Sequence, residues 1–252
     1  MAALENKEAR AFRFLASELD RHLAHNNSTI ALINDVQSLW DEAAVSHALA
    51  VGLNLLARTF DDLRSIRHLT LRGYGVPACT IGASIFEAAH SVGYIGQDNK
   101  RAWNWLNLGK PEFTFPNVEK RIRGSLLNAG IPNDEIKEIE IRAREDYRLL
   151  CMVKHPSNRN LQLRRHGIEE DVRIGARYGP DLTRAGVHTC AFALRVSANW
   201  ARYAVSIVLQ HPCDSPKAHA LAIEAGDYSE GIALGEWELD LYSDGEADDA
   251  IG

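Results

Sequence analysis

Residues 35–71 read DVQSLWDEAAVSHALAVGLNLLARTFDDLRSIRHLTL. Within them Leu49, Leu53, Leu56, Phe60 and Leu63 follow one another at steps of four, three, four and three, which places side chains on one face of an α-helix. Val36, Leu39, Trp40 and Ala43 begin a similar stripe, and Asp61, Asp62, Arg64 and Arg67 mark the wet side. The spacing predicts one very long helix over about 35–71.

The helical period continues in both directions. Upstream, Leu4, Ala11, Leu15 and Leu19 predict a helix over about 4–23, followed by a polar break at His25-Asn26-Asn27-Ser28. Downstream, Gly73-Tyr74-Gly75-Val76-Pro77 is a turn opening a small-residue, apolar helix over about 77–96. Asp98 is placed to cap a short helix through Leu108, with Trp103 and Leu106 inward. A loop over 109–117 leads to a helix over 118–128 that stops at Gly130. Pro132-Asn133-Asp134 restarts the chain as a helix with Ile136, Ile139, Ala143, Tyr147 and Leu150 inward. Pro156 ends it, because proline disfavours α geometry at His155.

Residues 156–182 read as polar and irregular. Thr183 then caps a last long helix through about Leu209, with Ala193, Val196, Trp200, Tyr203 and Ile207 inward. Ser215-Pro216 starts a short final helix. No stretch alternates as a strand does. The expectation is an all-α helical bundle, one domain over 1–226 with a flexible acidic tail over 227–252 in which 235–239 is a docking segment.

The 252 residues carry 46% hydrophobic and 25% charged side chains, the composition of a globular protein with a core. The net charge of −6 is uneven. Residues 1–223 hold 28 basic against 24 acidic residues, and 224–252 hold ten acids and no base. A mildly basic body suits an anionic partner for whose surface the tail competes, although an acidic tail is more often a solubilising one. Cys79, Cys151, Cys190 and Cys213 show no CxxC spacing, and the start MAALENKEARAF is charged too early for a signal peptide. The most apolar window, 76–96, is interrupted by Glu87 and His90, so no membrane span is expected. Together these point to the cytoplasm.

Two constellations bear on chemistry. In Arg148-x6-His155, seven residues turn about 700°, so on one helix both side chains point within about 20° of each other, about 10 Å apart. An imidazole can move a proton on or off a ribose hydroxyl, and a guanidinium can hold the phosphate whose charge grows in the transition state. Residues 142–165 hold Arg142, Arg144, Arg148, Lys154, Arg159, Arg164 and Arg165 against Glu145 and Asp146, a local +5 suited to an RNA backbone. The pattern itself is common. With 21 Arg and 10 His, an Arg followed by a His after four to six residues arises about 2.5 times by chance, and two such pairs are present; a helix-end histidine beside a solvated arginine is the ordinary alternative.

Glu87-x-x-His90 has the carboxylate–imidazole spacing of di-iron bundles, but no second copy follows, so no metal and no cofactor is expected. A glutamate on an apolar helix needs a partner, and His155 is one option. Gly73-Tyr74-Gly75 lacks the Lys of a phosphate loop, and neither a nucleophile elbow nor zinc spacing is present. Arg64, Arg67, His68 and Arg72 form a basic stripe that reads as a solvated face.

The stretch TIGASIFEA (80–88), followed by Tyr94 and Asp98…Ala102-Trp103, resembles one signature of a family of bacterial helical proteins. The stretch YRLLCMVKHPS (147–157) resembles the second. Those proteins are similar in turn to the HEPN group of helical domains, many of them ribonucleases of toxin and anti-phage defence systems. The likeness covers about residues 70–210. Ala83 stands where the first signature has Arg, and Leu149 follows Arg148 where HEPN nucleases have a polar residue. The resemblance implies Glu87, Arg148 and His155 as catalytic residues, RNA as partner and a homodimer as the active form. The rival from another class is a non-catalytic helical module for interaction or dimerisation. An inactive HEPN-like domain that retains RNA affinity is a third.

Overall fold

The computed structural model describes residues 2–40, 44–108, 132–154 and 180–243, with 120, 123, 124, 126 and 127. Among the described residues every regular element is helical. In chain order these are α1 (Ala2–Glu18), α2 (Asp20–Gln37), a single 3-10 turn (Ser38–Trp40), α3 (His47–Leu71), α4 (Gly75–Ile95) and α5 (Asn99–Leu108). After them come α6 (Asn133–Lys154), α7 (Arg184–Val208), α8 (Lys217–Gly226) and α9 (Ser229–Ser243).

The helix expected over 35–71 is corrected. α2 stops at Gln37 and α3 starts afresh at His47, its N-cap Ser46 accepting a hydrogen bond from the Leu49 amide. α3 is 25 residues long. Its Leu49, Leu56 and Leu63 are buried as expected, but Val51, Gly52, Leu55, Thr59 and Ile66 are buried as well. The reason is that α3 is flanked on several sides, by α4, α7, α2 and α5.

α4 and α7 form the central pair, with α3, α6 and α5 also set against α4 and with α2, α3, α8 and α9 also set against α7. Small residues let the two axes approach. A Cβ built on Gly82 would lie 2.9 Å from Ser197 Oγ, and one on Gly75 would lie 3.0 Å from the Cys190 amide nitrogen. The turn between α3 and α4 rests on Gly73, whose φ of 78° is left-handed; its carbonyl accepts the Asp181 amide at 2.9 Å. That bond ties the start of α7 to the end of α3. The expected Thr183 cap is present, Thr183 Oγ1 accepting from the Gly186 amide at 3.2 Å.

Three local expectations are corrected. The polar run 25–28 is no break, since α2 runs through it and the chain bends at Leu19 instead. On α5 the inward residue is Ala102, whereas Trp103 and Leu106 are nearly half exposed. Asn99 accepts the Ala48 amide at 3.0 Å, which turns the face bearing Asn99, Ala102 and Trp105 toward α3. Ile136, Ala143 and Leu150 of α6 are buried but Ile139 is exposed.

The flexible tail is also corrected in its first part. Residues 229–243 are helical, and Leu234 is 1% exposed against the body. A helix forms there because Asp227 accepts the Ser229 amide and hydroxyl, and a buried leucine then anchors it. Among the described residues no helix is long and apolar enough to cross a membrane. The helix expected over 118–128 falls largely outside the described residues.

Candidate functional site

Several residues noted in the sequence meet at the junction of α4, α6 and α7. Phe86, Glu87 and His90 come from α4, Tyr147 and Cys151 from α6, and Trp200 and Tyr203 from α7, while Arg148 is exposed on α6. Phe86 is the hub. Its ring stacks on His90 at 4.1 Å and on Tyr147 at 4.7 Å, and it meets Trp200 edge-on at 4.5 Å. His90 is 3% exposed and holds the Phe86 carbonyl at 2.9 Å through Nδ1. A carbonyl only accepts, so Nδ1 carries the proton. Trp200 donates its indole N–H to Asp146 at 3.2 Å, closing α7 onto α6.

Glu87 has a partner here, Tyr147, whose hydroxyl donates to Oε1 at 3.3 Å. Burial pushes the Tyr147 hydroxyl above its ordinary range, reinforced by hydrogen bonding to Cys151 and by the Glu87 carboxylate. The phenol therefore stays a neutral donor, and Glu87 joins α4 to α6.

The expected neighbour His155 lies outside the described residues, as do Arg159, Arg164 and Arg165. Lys154 closes α6, with its side chain outside the description. Arg142, Arg144 and Arg148 are exposed on α6. Arg144 and Arg148, four residues apart, share a face, and Arg142 lies about 120° round from Arg148. Among the described residues no three His, Cys, Asp or Glu side chains gather where they could share a metal ion.

A second polar cluster escaped the sequence reading, at the contact of α2, α7, α8 and α9. Arg202, 6% exposed, donates to Thr29 Oγ1 at 3.1 Å, Ser28 Oγ at 3.0 Å and the Glu224 carbonyl at 2.6 Å. His25 Nε2 lies 2.9 Å from Asn199 Oδ1. Thr29 and Ser28 turn their hydroxyls back onto the His25 carbonyl, so the helix absorbs the very residues that suggest a loop. One signal was available: Arg202 interrupts an apolar stretch, and a buried arginine needs several acceptors.

Burial lowers the His25 pKa below 6.5; the Asn199 hydrogen bond opposes this, nearby Arg202 and His22 add to it, and Glu230 pulls the other way. A histidine kept neutral in the fold binds fewer protons there than in the unfolded chain. Its contribution is present above pH 6.5 and is lost as pH falls from 6.5 toward the depressed folded value. The melting temperature is therefore expected to drop more between about pH 7.5 and pH 5 in the wild type than in His25→Gln. Equal drops in paired thermal melts would remove His25 as the cause.

No family model, no curated protein and no solved structure matches this chain.

Proposed function

We propose that this protein binds RNA through the outer face of α6 and the basic segment that follows it, and cleaves RNA without a metal through His155. The observation that carries the reading is charge left available. Arg142 and Arg148 are exposed and pair with no acid among the described residues, inside the stretch 142–165 whose net charge is +5. A guanidinium not neutralised by its own protein is the group that a phosphate backbone recruits, releasing condensed counterions as it does so. In the sequence Arg148 precedes His155 by seven residues, the spacing that two residues on one helical stripe have. The HEPN likeness adds the expectation that the working form is a homodimer.

Binding of a fluorescent single-stranded RNA tests this. Affinity is expected to fall about tenfold or more between about 50 and 200 mM salt, as several phosphate contacts require. Arg142→Glu with Arg148→Glu is expected to weaken binding at least about tenfold at the lower salt. The control is Arg58→Glu on α3, a residue already paired with Asp62 at 3.7 Å, which should leave binding nearly unchanged. No binding at about 50 mM salt, where the electrostatic contribution is strong, rejects the RNA reading.

One observation favours a second reading, that of a non-catalytic helical interaction or dimerisation module. α5 exposes Trp103, Leu106 and Leu108 at 47%, 46% and 62%. Large apolar side chains grouped on one short helix mark an interaction surface more often than isolated ones do. Self-association without RNA binding, abolished by Trp103→Ser with Leu106→Ser, is the outcome that would select it.

A further inference from the structure

α2 buries two unlike halves. Its second half is seated through Leu32, Ile33 and Val36, none of them more than 1% exposed. Its first half buries four polar side chains, His22, His25, Asn26 and Thr29. Over residues 20–30 the one buried apolar side chain is Leu23. Asn26 is fully buried, and neither its Nδ2 nor its Oδ1 meets a hydrogen-bond partner among the described residues. An amide held in this way regains hydrogen bonds when its helix opens to water, so Asn26 favours opening.

The facing side of the seam carries a buried charge. The acceptors of the Arg202 guanidinium on α7 are all neutral, being Thr29 Oγ1, Ser28 Oγ and the carbonyls of Glu224 and Asp227. Asn199, one turn earlier on α7, places Oδ1 2.9 Å from His25 Nε2. The hydroxyls that Arg202 engages are themselves bonded to the His25 carbonyl, each at 2.9 Å. His25 and Arg202 thus belong to one buried hydrogen-bonded seam. The other titratable groups that act on His25 are His22 on α2 and Glu230 on α9, and Glu230 is engaged by Arg21 at 3.1 Å. Asp227 faces the same seam from its exposed edge and accepts from Ser229, and Tyr228 faces Arg202. A neutral imidazole fits here, with Nε2–H donating to Asn199. An imidazolium sets a second positive charge beside a buried guanidinium, where low dielectric makes it costly.

We infer that the first half of α2 is an acid-opened latch. Below about pH 6 His25 takes up a proton, and residues 20–30 part from α7 and turn His25 and Asn26 to water. Residues 31–37 stay seated through Leu32, Ile33 and Val36. The bend at Leu19 marks the other end of the moving piece. The open form binds the extra proton and the closed form does not, so falling pH favours opening. The latch is independent of the RNA reading, and it goes further than a loss of overall stability by placing the opening in one half of one helix.

Amide exchange on the full chain tests it, at about pH 7.5 and pH 5, with rates corrected for the pH dependence of exchange itself. Protection over 22–30 is expected to fall about tenfold or more in the wild type, within the tenfold per pH unit that one proton allows. Protection over 31–37 and 78–95 is expected to change less than about threefold. His90 and His188 are buried on α4 and α7, so acid could instead open the whole centre. A loss spread evenly over α2, α4 and α7 overturns the latch. His25→Gln keeps an N–H for Asn199 and takes no proton, and its protection over 22–30 should differ less than about threefold between the two pH values. A fall as large as that of the wild type overturns the inference. Asn26→Leu removes the unpartnered amide and is read independently, whether or not His25→Gln folds. It is expected to raise protection over 22–30 at pH 5 at least about fivefold above wild type, and no gain there overturns the inference as well.

Discussion

Phe86→Ala is expected to cost about 4 kcal/mol of stability and to lower the melting temperature by about 8–16 °C, at the 2–4 °C per kcal/mol usual for a chain of this size. Phe86 is 1% exposed and touches three aromatic rings from three helices within 4.7 Å. Truncation removes those edge and stacking contacts together. It also leaves a cavity that His90, Tyr147 and Trp200 cannot close, because each is fixed by a hydrogen bond of its own. A calorimetric scan measures the loss, and Phe86→Leu should recover a large part of it by filling the space. A drop of less than about 1.5 kcal/mol would mean that the junction of α4, α6 and α7 collapses readily.

The second expected result is kinetic. His155→Ala should slow RNA cleavage at least about 100-fold while leaving RNA affinity within about twofold, because general acid–base catalysis contributes about 10²–10⁴ to such a step. In the proposed reaction His155 takes the proton of the ribose 2′-hydroxyl as that oxygen attacks phosphorus, the P–O5′ bond breaks, and the departing 5′-oxygen takes a proton from water. Arg148 meets the negative charge growing on the phosphate oxygens. EDTA should leave the rate unchanged, and the products should carry a cyclic phosphate, the signature of internal attack. Single-turnover assays on purified wild type and variant make the comparison. Full activity in His155→Ala, or loss of activity with EDTA alone, rejects the mechanism. RNA binding with no cleavage by the wild type selects the inactive, RNA-retaining form of the same domain.

The sequence was most legible where a local rule and the tertiary fold demand the same residue. Leu49, Leu56 and Leu63 are buried because helical spacing and packing agree there, and Asp98 and Thr183 cap their helices because a cap is settled within four residues. It misled where a distant partner overrides the local rule. His25-Asn26-Asn27-Ser28 has the composition of a turn, but Asn199 and Arg202, more than 170 residues away, supply the partners that keep it helical. Trp103 and Leu106 look like an inward pair, but Ala102 is the buried residue and the Ala48 amide is bonded to Asn99 on that side. Of the site, the meeting of Glu87 with α6 followed from the need to satisfy a carboxylate on an apolar helix, whereas its partner Tyr147 had been assigned to the core alone. No periodicity could have shown that one ring serves both purposes.

The central position of α4 has a consequence for how the chain is made. Its main neighbour, α7, is translated much later, since Cys79 on α4 reaches the Thr189 carbonyl across 110 residues. At the usual pace of synthesis that separation is about 5–20 s. During that interval α4, the most apolar of the described helices, has α3 beside it but not the partner that buries its other side. A nascent chain in this state exposes apolar surface, which makes it prone to aggregation until α7 has been made.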